Sequence, residues 1–547
     1  MFSLLVAFIF YLPAHIRVDW IFLMSRPSSQ TCQDHEEQRE KKPQGHEVQA
    51  DPASSDDPFE VRLEAADDPQ QLSSFRKWLA VIVISASSLC VTCASSVASF
   101  TENGVAREFH VSHEVTILSI SIFVEGLGMG PLVVGPLSEV WGRNIVYQVS
   151  YGLLFVFSWP VAFAPNIAVY LIFRFITGFC GSAFLSVAGG SVSDLFTDAA
   201  VANPMAFYTI SPFIGPVLGP LISGWVFIVF VSSGFSDDWC TSPRTFRDYR
   251  FINQNLDWRW TYRILLIWVF VQWIALCALV PETYVPVILQ RKARRIRQAT
   301  GETRYLAPLD KEEKNLARAI LVSCYKPFQG TLELVFFDRM ALLLDTWNAL
   351  LLGILYLSFQ AFPIIFQEGH GFNMQMTGLT FLGVGLGMIA AISTQPYWNR
   401  VFARESLKYD GNPPPETRLL MGQVGAILVP IGLYWLAFTT YPQVPWAVPI
   451  VASIPFGAGM FFAFTSTFTY LVTAYRPIAA SAMASNSAIR SLFAAVFPLF
   501  AGAMYKRLGT VGATALLAGL TTLMAPLPFI FYRIGARLRA RSRFAVS

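Results

Sequence analysis

The sequence predicts an all-α polytopic membrane protein with twelve transmembrane helices arranged in two blocks of six. Three observations carry that expectation. Of 547 residues, 54% are hydrophobic and only 14% charged, with a mean hydropathy of +0.47, whereas soluble domains carry about 25% charged residues. Such a chain lacks the polar surface to cover its apolar side chains in water, so lipid is part of its solvent. Crossing a hydrocarbon core of about 30 Å takes a helix of about 20 apolar residues. Twelve runs meet that length, with centres near Ser85, Phe123, Leu154, Gly178, Gly215, Phe270, Leu352, Gly385, Ile427, Ile454, Ala494 and Leu516. They fall six and six about a polar segment, 281–339, that is rich in Lys and Arg.

In chain order, residues 1–23 come first. Phe2 to Pro13 is apolar but too short to span, and it lacks the basic n-region of a signal peptide. Met24 then opens a polar stretch, so Met24 reads as the natural start. Twelve of the 36 acidic residues lie between Met24 and Arg76, and with its Ser, Gln and Pro content the arm 1–76 reads as disordered. Residues 77–280 form the first block. Within it a second apolar burst, Trp225 to Val231, is followed by Arg244, Arg247 and Arg250 in a connection expected outside. Residues 225–250 therefore read either as an inserted segment or as a real outward loop. The basic segment 281–339 is cytoplasmic by the positive-inside rule, and six spans on each side of it put both termini in the cytoplasm. Residues 340–533 form the second block and 534–547 a basic tail. Connections expected outside agree at 164–166, 368–376 and 439–445, which carry no Lys or Arg; Arg107, Lys506 and Arg507 are exceptions.

Several function classes are excluded. Formal charge is only +4, and no basic face with interleaved aromatics suits nucleic acid. The seven cysteines make neither a zinc pattern nor a disulfide framework; Cys90 and Cys93 lie in an apolar run and read as packing residues. The six histidines all lie outside the long apolar runs, which argues against a metal site in the membrane. No Gly-x-x-x-x-Gly-Lys-Ser/Thr loop is present for an ATP-driven pump. Gly126, Gly128 and Gly130, like Gly383, Gly385 and Gly387, imitate a dinucleotide loop but fall inside apolar runs. Neither a cofactor nor an enzymatic role is expected.

After the second span the chain reads Gly135-Pro-Leu-Ser-Glu139-Val-Trp-Gly142-Arg143. Gly135 and Gly142 permit a tight turn, and Glu139 to Arg143 is an i,i+4 acid-to-base pair. In the fifth span, Gly215-Pro216 and Gly219-Pro220 place small residues at i and i+4, which lets helices approach closely, while the prolines remove backbone donors.

The first of these motifs resembles the signature of the major facilitator superfamily, with Glu139 in the place of its Asp, and the second resembles the antiporter motif of that family's proton-coupled exporters. Further stretches resemble its fungal 12-spanner drug:proton antiporters. These are Tyr170 to Gly181, Phe251 to Trp260, Pro281 to Tyr284, Gly353 to Phe366, Pro455 to Gly459 and Arg490 to Pro498. The resemblance covers roughly Lys77 to Arg533. It departs at Ala200 to Pro204, where relatives often have Arg-Gly, and at Gln360, where many have Glu. It implies the major facilitator fold, alternating access between two rocking blocks, a latch at Gly135, Glu139, Gly142 and Arg143, and export of small amphipathic molecules (drugs, toxins, secondary metabolites or polyamines) by proton antiport. A uniporter or proton-symporting nutrient importer is the alternative. The implied partners are a small-molecule substrate, protons and the lipid bilayer, for a monomer located in the plasma membrane rather than the vacuole.

An ionised side chain at mid-membrane costs about 2.5 to 3.5 kcal/mol, so the few charges in the apolar runs call for a role. Glu125 and Asp345 are candidates for proton coupling, because a carboxyl can gain and lose a proton while Arg stays charged. A structural reading of Glu125, facing a lumen or paired with an Arg, stands beside it. Arg174 matches the family's span-four arginine, which the resemblance implicates in coupling. Tyr356, Phe359, Gln360, Phe362, Asn486 and Arg490 are candidates for the substrate cavity, combining adaptable apolar contact with a few polar groups.

Overall fold

The computed structural model describes residues 61–64, 67–197, 200–234, 258–302, 304–307, 338–409, 413–475 and 479–540. Met24, Cys32, Cys240, Cys324, Arg244 and Arg247, most of the arm and most of 281–339 lie outside the described residues, as do 235–250 of the suspected insertion.

Among the described residues, eleven helices are long and apolar enough to cross a membrane: α1 Ser74–Phe100, α2 His113–Trp141, α3 Arg143–Ala162, α4 Ile167–Leu195, α5 Asn203–Ile222, α6 Arg259–Leu279, α7 Arg339–Glu368, α8 Met376–Ser393, α9 Pro415–Phe438, α10 Ala447–Ala474 and α11 Ala482–Arg539. Each of the twelve expected centres falls in one of them, with Ala494 and Leu516 both in α11. At 58 residues, α11 as a straight rod would reach about 87 Å. It is not straight. Gly509 has φ +71°, a left-handed conformation that glycine adopts without a Cβ clash. The Tyr505 and Thr514 hydroxyls lie 3.0 Å apart, although nine residues of continuous helix span about 13 Å. The chain therefore folds back at Gly509, and α11 is long enough for two crossings. The helix containing α5 continues as Ala202–Gly234, so the backbone of 225–234 extends the fifth span.

Helix pairing repeats between the two blocks. α1 packs on α5 as α7 packs on α11; α2 packs on α4 as α8 on α10; α3 packs on α4 as α9 on α10. Glycines set the close crossings. A Cβ on Gly178 would overlap the Phe123 carbonyl between α2 and α4, and one on Gly457 would overlap the Val384 carbonyl between α8 and α10. Such pairing in duplicate is the pattern of transporters built from internal repeats.

Two sets of contacts mark the ends of the bundle. At one end the Trp258 indole donates to Glu108 at 2.6 Å, Arg259 pairs with Glu108, and Arg259 donates to the Ala164 carbonyl at 2.8 Å. These contacts gather the α1–α2 and α3–α4 connections at the start of α6. At the other end Arg143 at the start of α3, Asp194 in the last turn of α4 and Glu282 after α6 meet. The helix Val285–Thr300 follows. The last residues of the arm expected to be disordered are placed against it: the Val61 amide donates to the Leu306 carbonyl at 3.2 Å, and Lys292 reaches Glu64 and Asp67 at 2.8 Å each. Burial of Val61 against Leu289 and Ala293 supplies the apolar contact that a purely polar arm would lack.

Candidate functional site

The two blocks meet along a buried seam. α2 and α5 of the first block face α11 and α8 of the second, and Ala98, Ile120, Val124, Phe213 and Val217 belong to the same apolar cluster as the second block's core. Polar bonds cross the seam as well. The Ser121 hydroxyl donates to the Ala495 carbonyl, and the Ser95 and Tyr356 hydroxyls lie 2.8 Å apart. Gln360, four residues on and so on the same face of α7, donates to Glu102 at 2.8 Å.

Two of the titratable candidates occupy different settings. Asp345 is completely buried; its carboxylate accepts from the Ser485 hydroxyl at 2.7 Å and the Asn486 amide at 2.9 Å, both near the start of α11. The opposite charge acting on it is Arg490, whose guanidinium lies 5.8, 6.0 and 5.2 Å from the rings of Phe213, Phe464 and Phe468. Phe213 comes from the first block and stacks on Phe464 at 4.4 Å. Near this charge, Arg490 Nε, Asn486 Oδ1 and Ser487 Oγ are buried and make no hydrogen bond within the protein. Glu125 is half-buried with Oε2 likewise unbonded, and among the described residues no ion pair joins it to an Arg. Arg174 is 1% exposed and directs its donors to the carbonyls of Ser119, Ala94 and Ser95 at 3.3, 3.0 and 3.5 Å, with its guanidinium 4.3 Å from the Phe123 ring centre. Those carbonyls belong to α1 and α2 and occupy the positions a carboxylate would need. A cavity of about 20 Å³, room for about one water, adjoins Arg174, Phe123, Thr177 and Tyr262.

The expected cavity residues divide. Tyr356 and Gln360 touch the first block. Phe359 packs between Tyr356 and Phe381, at 5.3 Å from each, and Phe362 packs on Phe381 at 4.6 Å. Phe362 instead lines a second cavity of about 20 Å³ within the second block, beside Leu433, Phe456 and Tyr505. The reason is helical phase: six residues after Tyr356, Phe362 is turned about 240° away from it at 100° per residue. Asn486 serves Asp345.

The two glycine motifs also resolve. A Cβ on Gly215 would overlap the Thr92 hydroxyl, and one on Gly219 the Ser96 hydroxyl, so this face of α5 lies directly on α1. Pro216 and Pro220 lie inside the same helix. The expected Glu139–Arg143 pair does not form. Gly142, at φ +96° and ψ 158°, breaks the helix between them and destroys the i,i+4 register. Glu139 is exposed, while Arg143 reaches Asp194 at 3.4 Å and the Ser138 hydroxyl at 2.8 Å, donates its backbone amide to Glu282 at 2.9 Å, and covers the Tyr284 ring at 4.9 Å. Gly135 has open space beside it. Each of these Arg143 contacts stays within the first block and the segment that follows it.

Residues 84–496 match the family model described as Major Facilitator Superfamily. The chain belongs to that superfamily of transport proteins and is not an enzyme. It is 42% identical over 496 residues to the "Efflux pump atB" of Aspergillus terreus, covering 89% of this chain and 90% of that one. It is 37% identical over 481 residues to the "Probable drug/proton antiporter YHK8" of Saccharomyces cerevisiae, covering 88% of each. Among solved structures, the proton:xylose symporter XylE of E. coli matches 84% of this chain and 97% of its own length with a TM-score of 0.57 at 14% identity. The fold is that of the major facilitators, in a multi-pass membrane protein.

Proposed function

We propose that this transporter exports small amphipathic molecules in exchange for protons, by alternating access between two six-helix blocks, residues 77–280 and 340–533. The end carrying Gly142 and Arg143 faces the cytoplasm together with both termini, in the plasma membrane, and one chain suffices. The observation that carries this reading is the charge pair at the seam. Asp345 and Arg490 sit in an apolar, ring-lined setting with unbonded polar atoms beside them, in a chain related to proteins named as an efflux pump and a drug/proton antiporter. A carboxyl there exchanges a proton against the charge of Arg490, while the rings of Phe213, Phe464 and Phe468 offer adaptable contact to a flat or cationic cargo. Arg143 with Asp194 and Glu282 stiffens the cytoplasmic end of the first block so that it moves as a unit, and Gly215 with Gly219 locks α5 to α1 for the same purpose.

The test uses inside-out vesicles with an acid interior and the dye rhodamine 6G as the probe. Wild type should accumulate dye until a protonophore collapses the gradient, and Asp345→Asn should lose at least tenfold of that accumulation while retaining dye exchange. Glu125→Gln is run in parallel as the competing carboxyl. Retention of gradient-driven accumulation in Asp345→Asn removes Asp345 from coupling. Dye uptake only into right-side-out vesicles, driven by acid outside, would mark an importer.

A further inference from the structure

Glu102 opens the short helix Glu102–Phe109, in the connection between α1 and α2 and outside both. Carboxyls in connections ordinarily face water, yet this one is 4% exposed. Its Oε1 accepts from Gln360 of the second block at 2.8 Å, and its Oε2 lies 3.4 Å from His113 Nε2, on an imidazole that is 52% exposed. Solvent, imidazole, buried carboxyl and the opposite block's amide are thus in series. The other charges nearby are turned elsewhere. Glu108 is engaged by Trp258 and Arg259; Arg107, Glu114, Glu368 and Lys506 are exposed. Gln360 is neutral, and the Tyr262 hydroxyl stands 3.4 Å from the Thr101 hydroxyl.

We propose that Glu102 is a proton-binding site of the transport cycle: proton uptake through His113 closes this end of the seam onto Gln360, and proton release lets the two blocks part there. The inference rests on the proton-antiport reading above. A protonated Glu102 carboxyl suits this buried setting, whereas a bare carboxylate there is penalised. Burial pushes the Glu102 carboxyl up to about 8 in this closed arrangement, against about 4.3 for a solvated Glu. A raised carboxyl makes closure strongest at low pH. The closed state then loses up to tenfold in population ratio per pH unit between about 4.3 and about 8, and no more above that. With this end outside, a proton from the external solution closes the emptied carrier and returns it inward, which is the direction antiport needs. Gln360, which costs the cavity the acid common in relatives, becomes the partner of an acid supplied by the first block.

The test is a distance measurement on the full chain in lipid nanodiscs. Spin labels are placed at Asn103→Cys and Glu368→Cys, both exposed, with the native cysteines replaced by Ala, and distances are recorded from pH 5 to pH 9. The wild-type label pair should gain a long-distance population as pH rises. Glu102→Gln, a permanently neutral mimic, should stay short at every pH and match wild type at pH 5, which also reports that it folds. Glu102→Asp should restore a titration with a displaced midpoint. A pH-invariant wild type, or Glu102→Gln titrating like wild type, overturns the proposal. The antiport reading is scored separately by dye accumulation: titrating distances without gradient-driven accumulation defeat antiport alone, and accumulation with invariant distances defeats this inference alone.

Discussion

Arg174 shows how a charge is kept in an apolar bundle without a carboxylate. Its guanidinium presents five donors in a rigid plane, and one side chain of α4 thereby ties the carbonyls of Ala94, Ser95 and Ser119 together above the face of Phe123. Lysine offers a compact point charge that cannot span three carbonyls. Arg174→Lys is expected to lose two charge-assisted bonds, about 3 kcal/mol at about 1.5 kcal/mol each, read as a lower Tm in detergent together with reduced transport. An unchanged Tm with lost gradient-driven transport would instead assign Arg174 to coupling alone. Charges inside apolar runs are legible in the sequence because they are costly, which is how Arg174, Asp345 and Arg490 stand out. Their partners are not legible: Ser485 and Asn486 lie 140 and 141 residues from Asp345. Glu102 escapes sequence reasoning altogether, because an acid between two runs is ordinary. Its burial and its contact with Gln360, 258 residues away, make it unusual.

Among the elements, α2 carries the tightest demands because it is packed on opposite sides. A Cβ on Gly126 would overlap the Phe175 carbonyl of α4, and one on Gly128 would overlap Ser491 of α11. Two residues apart is about 200° round a helix, so one face binds the helix to its own block and the other meets the opposite block. Gly128→Val overpacks only the second face. It should cost this conformation about 1–3 kcal/mol, seen as a lowered Tm and a shift toward conformers with the blocks parted. A Gly128→Val protein with wild-type Tm and wild-type label distances would contradict that packing. The order of these helices follows from run length alone, and the twelve sequence-predicted centres fall within eleven helices, two of them in α11. What run length misses is local backbone geometry: Gly142 ends α2 before Arg143 can meet Glu139, whereas the reversal at Gly509 falls in the connection, marked by Lys506 and Arg507, that the last two runs already imply.

For the whole molecule, transport by alternating access requires the seam to open at one end while the other stays shut, and this conformation holds it at both. Glu102 and Gln360 close one end, Asn399 reaches Asn203 at 3.4 Å toward the other, and Ser95, Tyr356, Phe213 and Phe464 fill the space between. The pairing of α5 with α8 is part of this closed seam, and it joins the blocks without charge. A covalent tie across it should therefore stop the cycle without disturbing either block. The Cβ position of Gly385 lies 3.1 Å from Val217 Cγ1, which leaves the two Cβ positions near the 3.5–4.5 Å spacing a disulfide uses. Val217→Cys with Gly385→Cys should crosslink under a membrane-permeant oxidant. A Cys93→Ser background is needed, because the Cys93 thiol lies 3.1 Å from the Gly215 carbonyl. Once the bond forms, gradient-driven rhodamine 6G accumulation should fall more than tenfold, and dithiothreitol should restore it, while neither single cysteine responds to oxidant. Full transport by the crosslinked protein would mean that the blocks do not part along α5 and α8. The seam would then have to open about α2 and α11, where Gly128 and Ser491 provide the corresponding contact for a second pair.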